Sequence, residues 1–136
     1  MMSFDEMAVG QPLPPLQLPA IGRGTLALFA GASGDHNPIH IDLDFARGAG
    51  MPDVFAHGML SMAWLGRLLT NWVPQQQLRS FEARFVGITH LQNAVTCTGH
   101  IVEKMEGDGE SRVRVAIQSA NQYGEVKMLG EAVIAV

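Results

Sequence analysis

In the second half of the chain, apolar and polar side chains alternate with the period of two that belongs to strands buried on one face. Val95, Cys97, Gly99 and Ile101 alternate with Thr96, Thr98 and His100, and Val113, Val115 and Ile117 with Arg112 and Arg114. Val126, Met128, Ala132, Ile134 and Val136 mark a last strand. Phe81, Ala83 and Phe85 share one face of an earlier strand, with Glu82 and Arg84 on the other. EGDGE (106–110) and NQYG (121–124) carry the turn chemistry of hairpins, so successive strands run antiparallel.

Before Pro74 the period becomes helical. HGMLSMAWLGRLLTNWV (57–73) has a stripe of Leu60, Trp64, Leu68 and Val73, flanked by Met59, Met62, Ala63, Leu65 and Leu69. A helix apolar over most of its wheel is expected to be buried on most sides. GTLALFAGAS (24–33) predicts a short amphipathic helix on Leu26, Phe29 and Ala30, ended by Gly31 and Gly34. DFARGAG (44–50) predicts another, capped by Asp44 and stopped by Gly48 or Gly50. VGQPLPPLQLPA (9–20) holds four prolines and reads as an extended lead-in along the domain rather than a helix or interior strand. The economical assembly is α+β: a single domain, 1–136, with an antiparallel sheet wrapped around the central helix. Its free sheet edges invite pairing with a second copy.

The 136 residues suffice for a core without disulfide staples. The net charge of −4 is spread without blocks, which leaves no basic footprint for nucleic acid and no polybasic membrane patch. The longest apolar tract, Met59 to Leu69, is broken by Ser61, Gly66 and Arg67 and is too short to span a bilayer. MMSFDEMAVG has neither a basic region nor an apolar run, so no secretory leader is expected. The lone Cys97 has no disulfide partner within the chain, which fits a cytoplasmic protein. Charged residues are only 16% of the chain, in keeping with surface hidden against another subunit.

The candidate chemistry lies in GASGDHNPIHIDLD (31–44) and in AHGM (56–59). His36 and His40 have the spacing of helical zinc ligands, but Pro38 between them disfavours the helix, and Asp42 and Asp44 lack the glycine and glutamate of a calcium loop. No metal is expected. GRG (22–24) and GASG (31–34) complete no phosphate-binding fingerprint, and Ser33 and Ser61 lack a nucleophile elbow. Cys97 falls on an inward phase and is expected to be inert. Acid–base chemistry remains. Asp35 and His40 are about 140° out of alignment on an ideal helix, so they converge only if Asn37-Pro38 turns the chain. His57 and Gly58 stand where the central helix begins, with free N–H groups and the positive end of the helix dipole. A carboxylate and an imidazole facing such an end are the parts needed to move protons beside a carbonyl. Asp42 and Asp44 read as a turn and an N-cap, His36 as a neighbour of the site, and His57 as the residue that orients the loop before the central helix. His90 and His100 receive no chemistry.

SGDHNPIH (33–40), followed by Asp42, Ala46 and then AHGM (56–59), resembles the signature of the MaoC-like (R)-specific enoyl-CoA hydratases and dehydratases. The resemblance spans most of the chain, including ARF (83–85). It implies the hot-dog fold, a curved sheet around a central helix, usually as a homodimer. It also implies reversible addition of water to a trans-2-enoyl thioester of coenzyme A or acyl carrier protein, giving the (R)-3-hydroxyacyl thioester. On this resemblance Asp35 and His40 carry the proton transfers. Asn37 and His57 arrange the substrate site, the amide of Gly58 binds the thioester oxygen, and no metal or redox cofactor takes part. Two departures stand out. Gly66 occupies a position where some members carry a serine, and VGITHLQNAV (86–95) replaces the usual proline-valine and glycine-aspartate turn. Some relatives work as heteromers with a partner lacking the motif, and the intact motif would make this the catalytic chain of such a pair. Two other readings stay open: a hot-dog thioesterase, and a non-catalytic acyl-binding subunit.

Overall fold

A computed structural model describes residues 2–136. Alternation in the second half produces long strands: β2 (Leu78–Phe85), β3 (Thr96–Gly107), β4 (Glu110–Ala120) and β5 (Val126–Ala135). With the two-residue β1 (Leu16–Gln17) they form one antiparallel sheet in the order β1-β3-β4-β5-β2. The register places Gly99 opposite Ile117, Val113 opposite Ile134 and Val115 opposite Ala132, so the inward positions of three strands share one face. Cys97, Ile101, Val113, Val115, Ala132 and Ile134 are all fully buried there. Val126 and Val136, assigned to the same face, sit at the strand's ends and are only partly covered. Asp108 and Gly109 both take positive φ (52° and 78°), the geometry that lets a two-residue turn follow the strand twist between β3 and β4. At the other hairpin, the Asn121 side-chain oxygen accepts from the amides of Tyr123 and Glu125.

The proline-rich lead-in runs along β3 as an intermittent edge. Gly10 donates to Ile101, Leu13 to Gly99 and Leu18 to Val95, with the prolines breaking the ladder between. Gly99 is what permits this approach. A Cβ there would come within 3.0–3.4 Å of Ile117, the Ala116 carbonyl and Leu13.

Three helices precede the main strands: α1 (Arg23–Ser33), α2 (Leu43–Gly48) and α3 (Gly58–Trp72). The sheet curls around α3, whose Leu60, Trp64, Leu65, Leu68 and Leu69 enter the core. This is the hot-dog arrangement. Three expectations need correction. Gly31 does not end α1 but lies inside it, and Gly34 alone, in the left-handed region at φ 77°, stops the helix. Asp42, not Asp44, caps α2, its carboxylate accepting from the Phe45 amide. Finally, Met59 and Ala63, counted among the apolar flanks of α3, are not covered. Met59, Ala63, Arg67 and Thr70 form an exposed stripe, because the sheet covers only part of the helix's circumference.

Candidate active site

Residues 33–40 are held by their own side chains. Ser33 Oγ accepts from the Asp35 amide at 3.1 Å, Asp35 Oδ1 from the Asn37 amide at 3.2 Å, and Asn37 Oδ1 from the Ile39 amide at 3.1 Å. Each bond substitutes for a helix bond the chain has given up, which is how short polar side chains stabilise turns. Asn37 thereby caps a single 3-10 turn, Pro38–His40, with the proline preset at its first position. The turn carries His40 inward to 8% exposure, while Asp35 stays exposed.

His40 Nδ1 lies 2.8 Å from the Phe55 carbonyl. Since a carbonyl only accepts, Nδ1 bears a proton, which leaves Nε2 as the nitrogen that can take up or give one. His57, 1% exposed, lies behind it. The two rings stack with centroids 4.0 Å apart and planes at 28°, and the edge of Phe29 packs against His57 at 4.9 Å. His57 Nε2 donates to the backbone carbonyl of Asp35 at 3.2 Å, while its Nδ1 is buried without a partner. Burial pushes His57 below the ordinary histidine range, and the neighbouring His40 acts in the same direction. His57 thus holds the backbone of the Asp35 loop, not the loop before its own helix as expected, and it lies behind His40 rather than at the wall of a cavity.

Asp35, His40 and His57 each offer one polar side-chain atom within 4.8 Å of the others. The expected convergence of Asp35 and His40 is thus present. The same group does not suit a metal. Lone pairs of an imidazole lie in its ring plane, and two stacked planes cannot aim theirs at one ion about 2.1 Å from both. His36, expected as a neighbour, is exposed and outside the cluster.

Gly58 opens α3. Its N-cap, His57, gives no side-chain hydrogen bond to the first turn, which leaves the helix end available to a ligand. The Phe85 ring lies over Gly58, one ring carbon 3.0 Å from where a Cβ would be, so a larger residue would have to push the ring aside. Beside it is a cavity of 190 Å³, lined by Phe55 and Gly58 on the side of His40 and by Ser61, Phe85, Ile88, Thr89 and Met128 beyond. Two larger hollows, of 470 and 370 Å³, lie on the outer face of the sheet, away from this group. Thr89 was not singled out in the sequence, and Ser61 was weighed there only as a nucleophile and set aside. Both are buried in its lining, their hydroxyl oxygens 3.5 Å apart. Ser61 had one available signal: it is a polar break in an apolar helix, one turn beyond His57.

The fold is thus a hot-dog domain with a carboxylate and an imidazole brought together beside the uncapped end of its central helix. The profile for the MaoC like domain matches residues 7–122, and the chain belongs to that family of dehydratase domains. It is 31% identical over 123 residues to an (R)-specific enoyl-CoA hydratase from Rhodospirillum rubrum, covering 85% of this chain and 80% of the relative. It is 29% identical over 126 residues to the fatty acid synthase subunit beta of Saccharomyces cerevisiae, covering 90% of this chain but only 6% of that protein. Among solved structures it is similar to the unliganded R-hydratase PhaJ1 from Pseudomonas aeruginosa, with a TM-score of 0.84 and 30% identity over 97% of this chain and 84% of that one.

Proposed function

We propose that the chain catalyses reversible hydration of trans-2-enoyl thioesters to (R)-3-hydroxyacyl thioesters, as a hydro-lyase. The observation that carries this reading is the approach of Asp35 and His40, within 4.8 Å, beside the open amide end of α3 at Gly58. In the forward direction Asp35 is ionised and His40 protonated on both nitrogens, Nδ1 held by the Phe55 carbonyl. Asp35 accepts a proton from water as its oxygen bonds to C3. The C2–C3 electron pair moves towards the thioester, whose oxygen gains negative charge beside the Gly58 amide and the helix dipole. His40 Nε2 then delivers a proton to C2, and exchange with solvent resets the pair. Asn37 keeps the turn in shape, and His57 keeps the Asp35 carbonyl in place.

The reading takes coenzyme A or acyl-carrier-protein thioesters as substrate, and the likeness to the R. rubrum hydratase and to a stretch of a fatty acid synthase supports that class. It requires no metal or redox cofactor, because proton transfers and one stabilised oxyanion complete the reaction. A second hot-dog chain, as a homodimer or a heteromer, and a cytoplasmic location belong to the same reading. Sparse charge and a lone buried cysteine support them. Among the described residues no helix is long and apolar enough to cross a membrane.

The test is loss of enoyl absorbance with crotonyl-CoA and longer trans-2-enoyl-CoA thioesters. Asp35→Asn and His40→Gln should each lower kcat/KM by about 10²–10⁴-fold. Hydration indifferent to both changes, or release of free thiol in place of hydration, would overturn the reading.

A further inference from the structure

The cavity beside Gly58 is lined by two hydroxyls with little to bind. Ser61 and Thr89 are 3% and 4% exposed, and among the described residues each has only the other as a hydrogen-bond contact, at 3.5 Å. A good O–H···O bond is about 2.8 Å long, so this contact is weak. A helical serine often bonds instead to the carbonyl one turn back. That carbonyl belongs to His57, and it accepts from the Leu60 amide at 3.1 Å. Each hydroxyl therefore keeps bonding capacity to spare, where buried groups of this kind nearly always have partners.

The rest of the wall is apolar. Phe55, Phe85, Ile88 and Met128 supply its other large side chains, and no charged side chain lines it. At about 30 Å³ for each water-sized group in a liquid, 190 Å³ holds about six such groups. The thiol arm of a thioester is long, polar and tied to a larger body, so it has to run to solvent. The part that a chamber of this size accepts is the acyl end. With the thioester oxygen at the Gly58 amide, Ser61 lies one turn further along α3, about 4.5 Å along its axis. The hydroxyl pair thus meets the acyl chain beyond its reacting carbons.

We propose that Ser61 and Thr89 select short 2-enoyl thioesters whose acyl chain carries a neutral oxygen, a hydroxyl or a carbonyl, over plain alkyl chains of the same shape. This selectivity belongs to the proposed active site and rests on the hydratase reading above. Geometry and charge both limit the choice. An oxygen about 2.8 Å from each of two atoms 3.5 Å apart closes a triangle over them and satisfies both at once. A hydroxyl there donates to one and accepts from the other, and a carbonyl accepts from both. A carboxylate finds no cation in the lining to offset its desolvation. A methyl group in the same place shuts the pair off from any other partner, which is the penalty a polar lining sets against an apolar chain.

Two pairs of isosteric thioesters test it: 5-hydroxy-trans-2-pentenoyl-CoA against trans-2-hexenoyl-CoA, and 6-hydroxy-trans-2-hexenoyl-CoA against trans-2-heptenoyl-CoA. In at least one pair the wild-type kcat/KM should favour the hydroxylated member by about tenfold. Ser61→Ala/Thr89→Val keeps the shape of the lining and removes both hydroxyls, so it should bring that ratio to about one or below. Each single variant should lower it part of the way. A general loss of activity or stability does not move a ratio, which separates selection from a purely structural role. A wild-type ratio near unity in both pairs would overturn the proposal, as would a preference that survives the double variant; the hydroxyls would then serve the fold or an ordered water only. If no thioester is hydrated, the hydratase reading fails, and calorimetry on the same four compounds reads the ratio as Kd. Tighter binding of a hydroxylated member would keep the selectivity of the cavity, and equal binding would overturn it.

Discussion

His57 lies against His40, ring on ring at 4.0 Å, and from the same position donates to the backbone carbonyl of Asp35. One buried side chain therefore touches the supports of both proposed acid–base groups. A neutral His57 suits this place, since a second cation stacked on a protonated His40 would be repelled in a dry setting.

The pH dependence of stability follows from that burial. His57 is held below its ordinary value of 6.5 in the folded chain, while the unfolded chain returns it there. On acidification the unfolded state takes up the proton first, so His57 makes stability fall as pH drops through about 6.5. Thermal melts between pH 7.5 and 5 should show a shallower loss of Tm in His57→Gln than in the wild type. Parallel slopes would mean that His57 is not held neutral by the fold.

Gly58→Ala tests how tightly the helix end is built. The added Cβ meets the Phe85 ring at 3.0 Å, so either the ring or the first turn of α3 must shift. Displacement of about 1 Å at a reacting centre costs about 10²-fold, and the few tenths of an ångström needed here should cost less, so a loss of about tenfold in kcat/KM is expected with little change in Tm. Because Phe85 is the obstacle, the double variant Gly58→Ala/Phe85→Ala should recover part of the loss. A double variant no better than Gly58→Ala would place the fault elsewhere than in the ring contact.

Cys97 should be silent in the folded protein. It is fully buried on the inward face of β3, and burial pushes its thiol up to about 12. Reactivity belongs to the thiolate, so a thiol reagent at pH 8 should label it only after unfolding. Stoichiometric labelling of native protein would show that β3 opens readily.

How much of this was legible in the chain depended on how local the cause was. The strands were legible because Val113, Val115 and Ile117 alternate on β4, which is flanked on both sides and covered on one face by α3. The meeting of Asp35 and His40 was legible because Asn37-Pro38 admits few backbone paths. The exposed stripe of α3 was not. Met59 and Ala63 are as apolar as their buried neighbours, and only the extent of the sheet decides which side stays open. Asp42 and Asp44 compete for one cap two residues apart, and φ/ψ rather than residue type chose between them. The place of Ser61 in the site came into view only when Thr89, from a distant loop, appeared beside it.

Two glycines should answer to the same alanine substitution with opposite signs. Gly31 lies exposed inside α1, with ordinary helical geometry and nothing within 4 Å of a prospective Cβ. Gly31→Ala therefore removes only the entropy cost of glycine and should stabilise by about 0.5–1 kcal/mol. Gly130 lies where β5 passes β2, and a Cβ there would collide with the Glu82 carbonyl and crowd Ala83 at 2.9–3.0 Å. Backbone atoms cannot rotate away as a side chain can, so Gly130→Ala should destabilise by about 1–3 kcal/mol through strain. Urea unfolding at neutral pH measures both. Because the Gly130 contact is with the edge strand, its variant should also weaken whatever packs against β2, whereas Gly31→Ala should leave association unchanged. A Gly130→Ala protein as stable as the wild type would show that β2 and β5 are less closely paired than their register implies.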